Sequence, residues 1–246
     1  MALEASTTSG VLRRTLSIGA VCAALAPLAA CGGPTYRYRY RLTVWIEVNG
    51  RLVSGSGVRE IRVADVNALP NPGSLVTTRT HGDAIPIDLG DGRVLFMLNY
   101  GYQTPQQSAK DFTTIEEWSP TALFSQAIGN PNLWSGGQNA LLQRLSSLGS
   151  TQPIDVAAGA LPAMAFLLDR RRPDTARLVD PVDIAEAVGT SVELHKASIE
   201  LTTEPVTRGI EQWLPWLSDL KQQPESATVS GTMGVFNPRN IPQWTE

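Results

Sequence analysis

Cys31 is the residue of this sequence whose setting most clearly predicts chemistry. It follows Leu28, Ala29 and Ala30, and its thiol is a nucleophile that can accept a lipid group. The two small alanines fit the narrow pocket of a processing peptidase, and Leu28 fills an apolar subsite three residues before the cysteine. These four residues predict a chain that is cut before Cys31 and modified on its sulfur.

The segment before Cys31 has the organisation of an export signal. Arg13 and Arg14 supply a positive region, and an uncharged, alanine-rich run over residues 16–30 follows. This run is about as long as the apolar core of a signal peptide and shorter than the roughly 20 residues that cross a bilayer. We therefore expect residues 1–30 to be a removable signal peptide. The twin arginines leave a second export route open beside the general secretory one.

The four residues Leu28-Ala29-Ala30-Cys31 match in full, and so resemble, the lipobox of bacterial lipoproteins. The resemblance implies diacylglycerol on the Cys31 sulfur and, after cleavage, an acyl chain such as palmitate on its amine. Position 32 is Gly rather than Asp, which by the enterobacterial sorting rule implies the outer membrane and a protein facing the periplasm. The alternatives are an ordinary signal peptide cut elsewhere and an uncleaved N-terminal anchor.

Charge and cysteine content exclude several classes of function. The chain has 246 residues, of which 42% are hydrophobic and 17% charged, as in an ordinary globular domain. Its net charge of −3 lacks the basic excess of nucleic-acid-binding proteins. Removal of the signal would take Cys22 away and leave one thiol, which excludes an internal disulfide and a cysteine-rich zinc site.

Strict alternation around Asn49-Gly50 predicts a long β-hairpin, because both turn residues tolerate positive φ. A two-residue turn fixes the register. The expected apolar face carries the pairs Ile46–Val53, Val44–Gly55, Leu42–Gly57, Tyr38–Ile61 and Tyr36–Val63. The expected polar face carries the pairs Trp45–Ser54, Thr43–Ser56 and Arg39–Glu60. The last pair predicts a cross-strand ion pair.

Further strands and short helices follow along the chain. We expect strands over residues 75–80, 85–89, 94–98, 192–201 and one or two within 154–168. We expect a helix that starts at Ser119-Pro120 and helices over 138–148 and 182–188, the last of these capped by Asp180-Pro181. Residues 208–220 carry apolar side chains at helical spacing, with a kink or break expected at Pro215. Pro86 indicates an edge strand, and the apolar run 94–98 indicates a strand buried on both faces.

This order of elements predicts an α+β fold, in which antiparallel hairpins form a sheet with a few short helices packed on it. The expected organisation is a signal peptide over 1–30, a tether over 31–35 and a single domain over 36–246, mostly loop from about residue 224. The mature stretch is similar to a family of bacterial lipoproteins that has no assigned activity. The resemblance lies in residues 36–44, 84–93, 179–181 and 205–211. It implies one coherent fold and no mechanism.

We predict no catalytic, cofactor-binding or metal-ligating residue. His81 and His195 lack metal-ligand spacing, and Ser54-Gly55-Ser56-Gly57 lacks the spacing of a nucleophile elbow. Its glycines are better explained as room for close packing over Val44 and Leu42. Residues 88–92 fit a hairpin turn better than a calcium loop.

Three arginines follow the tether on one side of the first strand. Cys31 lies five residues before Tyr36, so the tether reaches about 17 Å at full extension and keeps the domain near the headgroups. Arg37, Arg39 and Arg41 share one strand face and are candidate contacts to lipid phosphates, each worth ~1 kcal/mol near an anionic surface.

The sequence therefore predicts a membrane-anchored lipoprotein of the cell envelope that acts as a non-enzymatic binding or structural module. Its expected partners are the lipid membrane, through acylated Cys31, and an envelope protein that contacts Trp45 on the polar face. The alternative is a periplasm-facing hydrolase with a non-standard active site. Titratable residues clustered in one deep pocket would favour the hydrolase, and an apolar patch with a polar rim would favour the module.

Overall fold

The first hairpin forms in the predicted register. The computed structural model describes residues 35–65, 76–101, 117–129 and 138–218. β1 (Thr35–Val48) and β2 (Arg51–Asp65) pair antiparallel, and every predicted cross-strand pair is present. Asn49 and Gly50 have φ of +51° and +75°, as the turn requires. The Asn49 N–H also donates to the Ser191 carbonyl oxygen at 2.9 Å, which ties the turn to the rest of the domain.

This hairpin is the centre of a five-stranded antiparallel sheet, which we call the first sheet. Its other strands are β3 (Val76–His81), β6 (Ile154–Asp155) and β9 (Val192–Leu201). The strand order is β3-β2-β1-β9-β6. The predicted strand over 192–201 is confirmed in both of its bounds.

A second antiparallel sheet packs on the first. It consists of β4 (Ile85–Gly90), β5 (Arg93–Gly101), β7 (Pro162–Leu167) and β8 (Ala176–Val179), in the order β4-β5-β7-β8. Pro86 lies on an edge strand, and β5 is buried from Val94 to Tyr100, so both predictions are confirmed. The α+β fold class is confirmed, with two packed sheets where the sequence predicted one.

The two sheets differ in how much of their surface is buried. Tyr40, Leu42 and other inward residues of β1 pack against the second sheet, as part of one hydrophobic cluster that includes Ile87 and Met97. The far side of the second sheet packs under a C-terminal segment that contributes Ile210, Leu214 and Leu217. The central strands β5 and β7 of the second sheet are therefore buried on both faces, whereas the first sheet keeps one face toward solvent.

The helices are short; the second starts at the predicted residue, whereas the first and third start later than predicted. They are α1 (Thr121–Ala127), α2 (Gln138–Ser147) and α3 (Ile184–Val188). Pro120 stands at the N-cap of α1, one residue later than predicted. Asp183, rather than Asp180, caps α3 by accepting a hydrogen bond from the Glu186 N–H at 3.1 Å. Asp180 instead accepts from the Val182 N–H at 2.8 Å in the preceding turn.

Two other predictions need correction. The stretch 208–220 was predicted as helical with a kink or break at Pro215, but its described part forms a 3-10 turn at Ile210–Gln212, further turns through residue 216 and helical residues at 217–218. Pro215 has no N–H for a helical hydrogen bond, although the apolar side chains of the segment still reach the core. β8 was not predicted, because Arg177 and Leu178 in its centre are both exposed and the four residues show no alternation.

Gly55 and Gly57 mark the closest approach between the sheets. A Cβ atom on Gly55 would overlap the Pro86 carbonyl oxygen and lie 2.6 Å from Ile87 Cγ1. A Cβ atom on Gly57 would lie 2.7 Å from Ile85 Cγ1. The glycines make room for β4 as well as facing Val44 and Leu42 across the hairpin, so their role is packing.

We expect Gly55→Ala to lower the free energy of unfolding by about 1–3 kcal/mol, because the added methyl group forces β4 away from β2. Chemical denaturation measures the change. Ser54→Ala is the matched control, since Ser54 is exposed on the other side of the same strand and should change stability by less than about 0.5 kcal/mol. Equal losses in the two variants would contradict the close-packing role.

Arg59 joins the two sheets from inside. This side chain of β2 is fully buried, and its guanidinium donates to the Leu98 carbonyl oxygen at 2.9 Å and the Met97 carbonyl oxygen at 2.5 Å. These carbonyls lie where β5 loses its regular register with β7, between Met97 and Gly101. Burial lowers the pKa of Arg59, and the neighbouring Tyr40 opposes that shift. The Arg59 guanidinium thus supplies hydrogen-bond donors to carbonyl oxygens of β5 at the irregular part of the β5–β7 ladder.

We expect Arg59→Leu to destabilise the domain by about 2–3 kcal/mol, because two buried carbonyl oxygens lose their donors. Arg177→Leu is the control for the loss of an arginine, since Arg177 is exposed on an edge strand. Urea denaturation of both variants tests this expectation. An unfolding midpoint for Arg59→Leu equal to that of the control would show that the guanidinium is dispensable.

Candidate functional site on the polar face of the first sheet

The solvent-facing side of the first sheet carries the contact residues that the sequence predicted. Even-numbered residues of β1 from Tyr38 to Val48 are buried, whereas the odd-numbered ones are partly or fully exposed. We call this side the polar face. Its β1 residues are Arg37, Arg39, Arg41, Thr43, Trp45 and Glu47.

Arg39 is committed to an ion pair inside the domain. Its Nε lies 2.8 Å from Glu60 Oε2, which confirms the predicted cross-strand pair. Arg62 Nε lies 2.7 Å from the other oxygen of the same carboxylate. Burial works against ionisation of Glu60, but the hydrogen bonds from the two arginines outweigh it and hold the pKa of Glu60 below its usual value. One carboxylate therefore serves two arginines.

Arg41 is held by two carboxylates. Its Nε lies 3.4 Å from Glu200 Oε1, and its Nη2 contacts Glu204. The side chain is 26% exposed, against 38% for Arg39, so it is the less accessible of the two predicted arginines that form ion pairs. The structure thus separates the arginines that the sequence grouped, because Arg39 and Arg41 are neutralised by neighbours in the fold.

Arg37 instead belongs to a row of arginines on three neighbouring strands. It lies opposite Arg62 in the β1–β2 ladder, and Arg62 lies opposite Arg79 in the β2–β3 ladder. We call Arg37, Arg62 and Arg79 the arginine row. All three are exposed, and neither Arg37 nor Arg79 forms an ion pair with a described carboxylate. The sequence analysis did not single out Arg62, although the hairpin register places it opposite Arg37. It missed Arg79 because the register of β3 depends on residues far from the hairpin turn.

The polar face changes sign along its length. The arginine row lies near Thr35, where β1 begins, whereas Glu47 lies opposite Glu193 near the hairpin turn. Ten residues separate Arg37 from Glu47, which is about 33 Å along a strand. Like charges that lie opposite each other are unfavourable in an isolated sheet. The face therefore has a basic end and an acidic end, each at some cost in stability.

Trp45 lies between these ends, beside an irregularity in β9. Trp45 pairs with Lys196 and Ile46 pairs with Leu194, so His195 is an extra residue in the ladder, which is a β-bulge. His195 and Lys196 are exposed, and Lys196 Nζ lies 2.9 Å from Asp155 Oδ1. Trp45 is partly exposed, less than the sequence led us to expect.

A second candidate location is a cavity of about 370 Å³ between Trp118 and Pro181. Its walls include Ala160 and Leu161, and the Trp118 Nε1–H donates to the Ala160 carbonyl oxygen at 3.0 Å. Among the described residues that line it, Asp180 is the one carboxylate, and it already accepts the hydrogen bond from Val182 described above. The described part of the lining therefore does not pair an acid with a base.

The histidines are not brought together. His81 lies on β3, opposite Glu60, and His195 lies on β9. Three strand spacings separate these strands, or about 14 Å. Within the described residues no group of three His, Cys, Asp or Glu side chains could hold a metal ion.

Asp83 is the most deeply buried carboxylate outside the polar face, and its contacts are structural. Its Oδ2 accepts a hydrogen bond from the Ile210 N–H at 3.0 Å, and Arg208 Nη1 lies 3.7 Å from its Oδ1. Burial raises the pKa of Asp83, while the backbone donors at Ile210 and Gly209 oppose the shift. The side chain fastens the C-terminal segment to the second sheet.

Cys31, the predicted lipidation site, lies outside the described residues. In the part of the chain that is described, no helix has the length and hydropathy needed to span a bilayer. No protein-family model, curated protein or solved structure matches the chain. The resemblance to lipoproteins and the role of Cys31 therefore stay predictions.

The shared carboxylate of Glu60 predicts a pH dependence of stability. Its folded pKa is lowered, so its stabilisation is fully present above about pH 4.5, the pKa of an unperturbed Glu, and is lost as the pH falls through the folded pKa. We expect Glu60→Gln to lower the free energy of unfolding at neutral pH by about 1 kcal/mol, because both arginine partners are solvent-screened.

Denaturation from neutral to acidic pH measures this contribution. The difference between wild type and Glu60→Gln should shrink below pH 4.5. Glu193→Gln is the control, because Glu193 is exposed and lies opposite Glu47 rather than an arginine. A difference in the free energy of unfolding between wild type and Glu60→Gln that stays constant with pH would contradict the stabilisation of the ionised Glu60 carboxylate by Arg39 and Arg62.

Proposed function

We propose that this chain is a lipoprotein of the bacterial cell envelope, anchored through acylated Cys31, whose domain is a non-enzymatic binding module facing the periplasm. The supporting observation is the position of β1 in the sequence. β1 starts at Thr35, four residues after Cys31, so the start of this strand lies within about 14 Å of the anchor. The lipobox and its Gly32 favour the outer membrane.

The use of the buried charges favours a binding module over a hydrolase. Arg59 binds backbone carbonyls, Asp83 binds a backbone N–H, and Glu60 binds two arginines, so each has a structural role. A general acid or base needs a free position beside a reacting group in a cleft. The described lining of the cavity next to Trp118 supplies a single carboxylate, which already accepts a hydrogen bond.

The surface around Trp45 is the contact area that we propose for an envelope protein partner. An aromatic ring that is partly exposed on a flat sheet can be covered by a partner, and tryptophan often carries much of the binding energy at such contacts. The bulge at His195 places two exposed polar side chains, His195 and Lys196, beside it. This arrangement supports a role in binding a partner protein rather than in catalysis.

Replacement of the anchoring cysteine tests the proposal. We expect the processed wild-type protein to enter the detergent-rich phase in a phase-separation assay, and Cys31→Ser made without the signal, as residues 31–246, to remain in the aqueous phase, because it carries no acyl chain. Full-length Cys31→Ser should keep its signal and have a higher mass than processed wild type. Cys22→Ser is the matched control, since the signal peptide that contains it is removed. Identical partition and size of Cys31→Ser and wild type would refute the anchor.

A further inference from the structure

We infer that the arginine row contacts the phosphates of anionic lipids and holds the domain upright, with the Asn49-Gly50 turn pointing away from the membrane. The inference rests on the proposed function for the anchor. It differs from the sequence prediction in which arginines contact lipid and in how the domain is oriented.

The row concentrates uncompensated positive charge. Arg37, Arg62 and Arg79 lie opposite one another on three strands, so their Cα atoms span about 10 Å. Among the carboxylates of the described residues, Glu60 alone forms an ion pair with a member of the row, and it is shared with Arg39. Like charges placed opposite each other destabilise a sheet. An anionic surface would relieve that repulsion, so it is the binding partner that the arginine row favours.

The neighbouring arginines contribute less. Arg41 lies between the carboxylates of Glu200 and Glu204, so this part of the polar face carries one more negative than positive charge. Arg39 shares Glu60 with Arg62. On the polar face, the excess of positive charge among the described residues is therefore greatest at the row, two residues from the start of β1.

The tether delivers this end of the domain to the membrane. Thr35 is the first residue of β1, and Arg37 follows two residues later. A tether of four residues cannot bring the hairpin turn and the row to the headgroups equally well, because the turn lies more than 30 Å further along β1. The row is the part of the polar face that reaches the lipid first.

The acidic end argues against a domain that lies flat. Glu47 and Glu193 lie opposite each other near the hairpin turn. If the polar face lay on the membrane, these carboxylates would meet an anionic surface. In the upright orientation they lie several Debye lengths from it, since the screening length is about 8 Å at physiological salt. The charge gradient therefore selects the orientation as well as the contact.

An extended lipid surface fits the row better than a single soluble anion. The three guanidinium groups are exposed on an open sheet and spread over about 10 Å, which is wider than one phosphate. Several headgroups in a membrane can satisfy them at the same time. The chemistry recognised is the phosphate group, and the source that we propose is the bilayer.

The first experiment measures binding of the unacylated mature chain, residues 31–246 with Cys31→Ser, to vesicles of phosphatidylcholine with or without phosphatidylglycerol, because the apolar signal would itself bind membranes. In that background, Arg37→Gln/Arg62→Gln/Arg79→Gln should weaken binding to the anionic vesicles at least tenfold, since each basic residue near such a surface is worth about fivefold. Arg51→Gln/Arg171→Gln/Arg177→Gln is the control with equal net charge, because its three arginines are exposed outside the polar face. It should weaken binding less than twofold.

The double variant Arg37→Gln/Arg79→Gln keeps both partners of Glu60 and so separates binding from folding. It should still weaken binding at least fivefold. Equal effects of the row variants and the control variant would overturn the inference. Release from vesicles by inorganic phosphate beyond that caused by chloride of equal ionic strength would also overturn it, since it would indicate a site for a free anion.

The second experiment tests orientation in the acylated protein. A fluorophore is attached to Thr35→Cys or Arg51→Cys in proteoliposomes that contain a headgroup quencher, since acylated Cys31 does not react. The label at position 35 should be quenched and the label at position 51 should not. Equal quenching at both positions would overturn the upright orientation. Quenching at 35 should fall in the row variant.

These outcomes keep the inference separate from the proposed anchor. If Cys31→Ser still enters the detergent phase, the anchor fails whatever the vesicle measurements show. If the anchor holds and the row variant binds anionic vesicles as tightly as its control variant, the inference on the row fails alone.

Discussion

The even-numbered residues of β1 are buried against the second sheet, and that burial determines how the polar face is built. Because side chains alternate along a strand, the packing of Tyr40, Leu42 and Val44 forces the arginines and Trp45 to the opposite side. β1 also lies at the centre of the first sheet, so its neighbours must place their own polar residues on the same side. A shift of one residue would exchange the two faces completely.

The packing between the sheets depends on groups that are small or unusual for a core. Gly55 and Gly57 let β4 approach the backbone of β2. Arg59, which follows Gly57 by two residues on β2, is fully buried and donates hydrogen bonds to carbonyl oxygens of β5. Close packing and directed hydrogen bonds thus lie side by side on β2. The glycine packing and the Arg59 hydrogen bonds together fix the position of the second sheet on the first, because sliding of one sheet over the other would break both.

Local patterns predicted the fold better than they predicted the site. The turn at Asn49 sets a register that can be counted along the chain, and the hairpin and β9 follow from alternation alone. β8 has too few residues to show a period, and Asp180 and Asp183 both carry good capping side chains, so the sequence could not choose between them. The arginine row joins three strands, and its third member depends on long-range pairing that no local pattern encodes.

The hydrogen bond from Asn49 to Ser191 has a mechanical consequence. A free hairpin of this length would bend and twist independently at its tip, but this one is fastened at its turn to the segment that leads into β9. With both ends fixed in the sheet, β1 and β2 act as a stiff rod. A pull on the N-terminus is then transmitted along the whole of β1 and loads many hydrogen bonds together in shear, so the strand resists being peeled away one residue at a time.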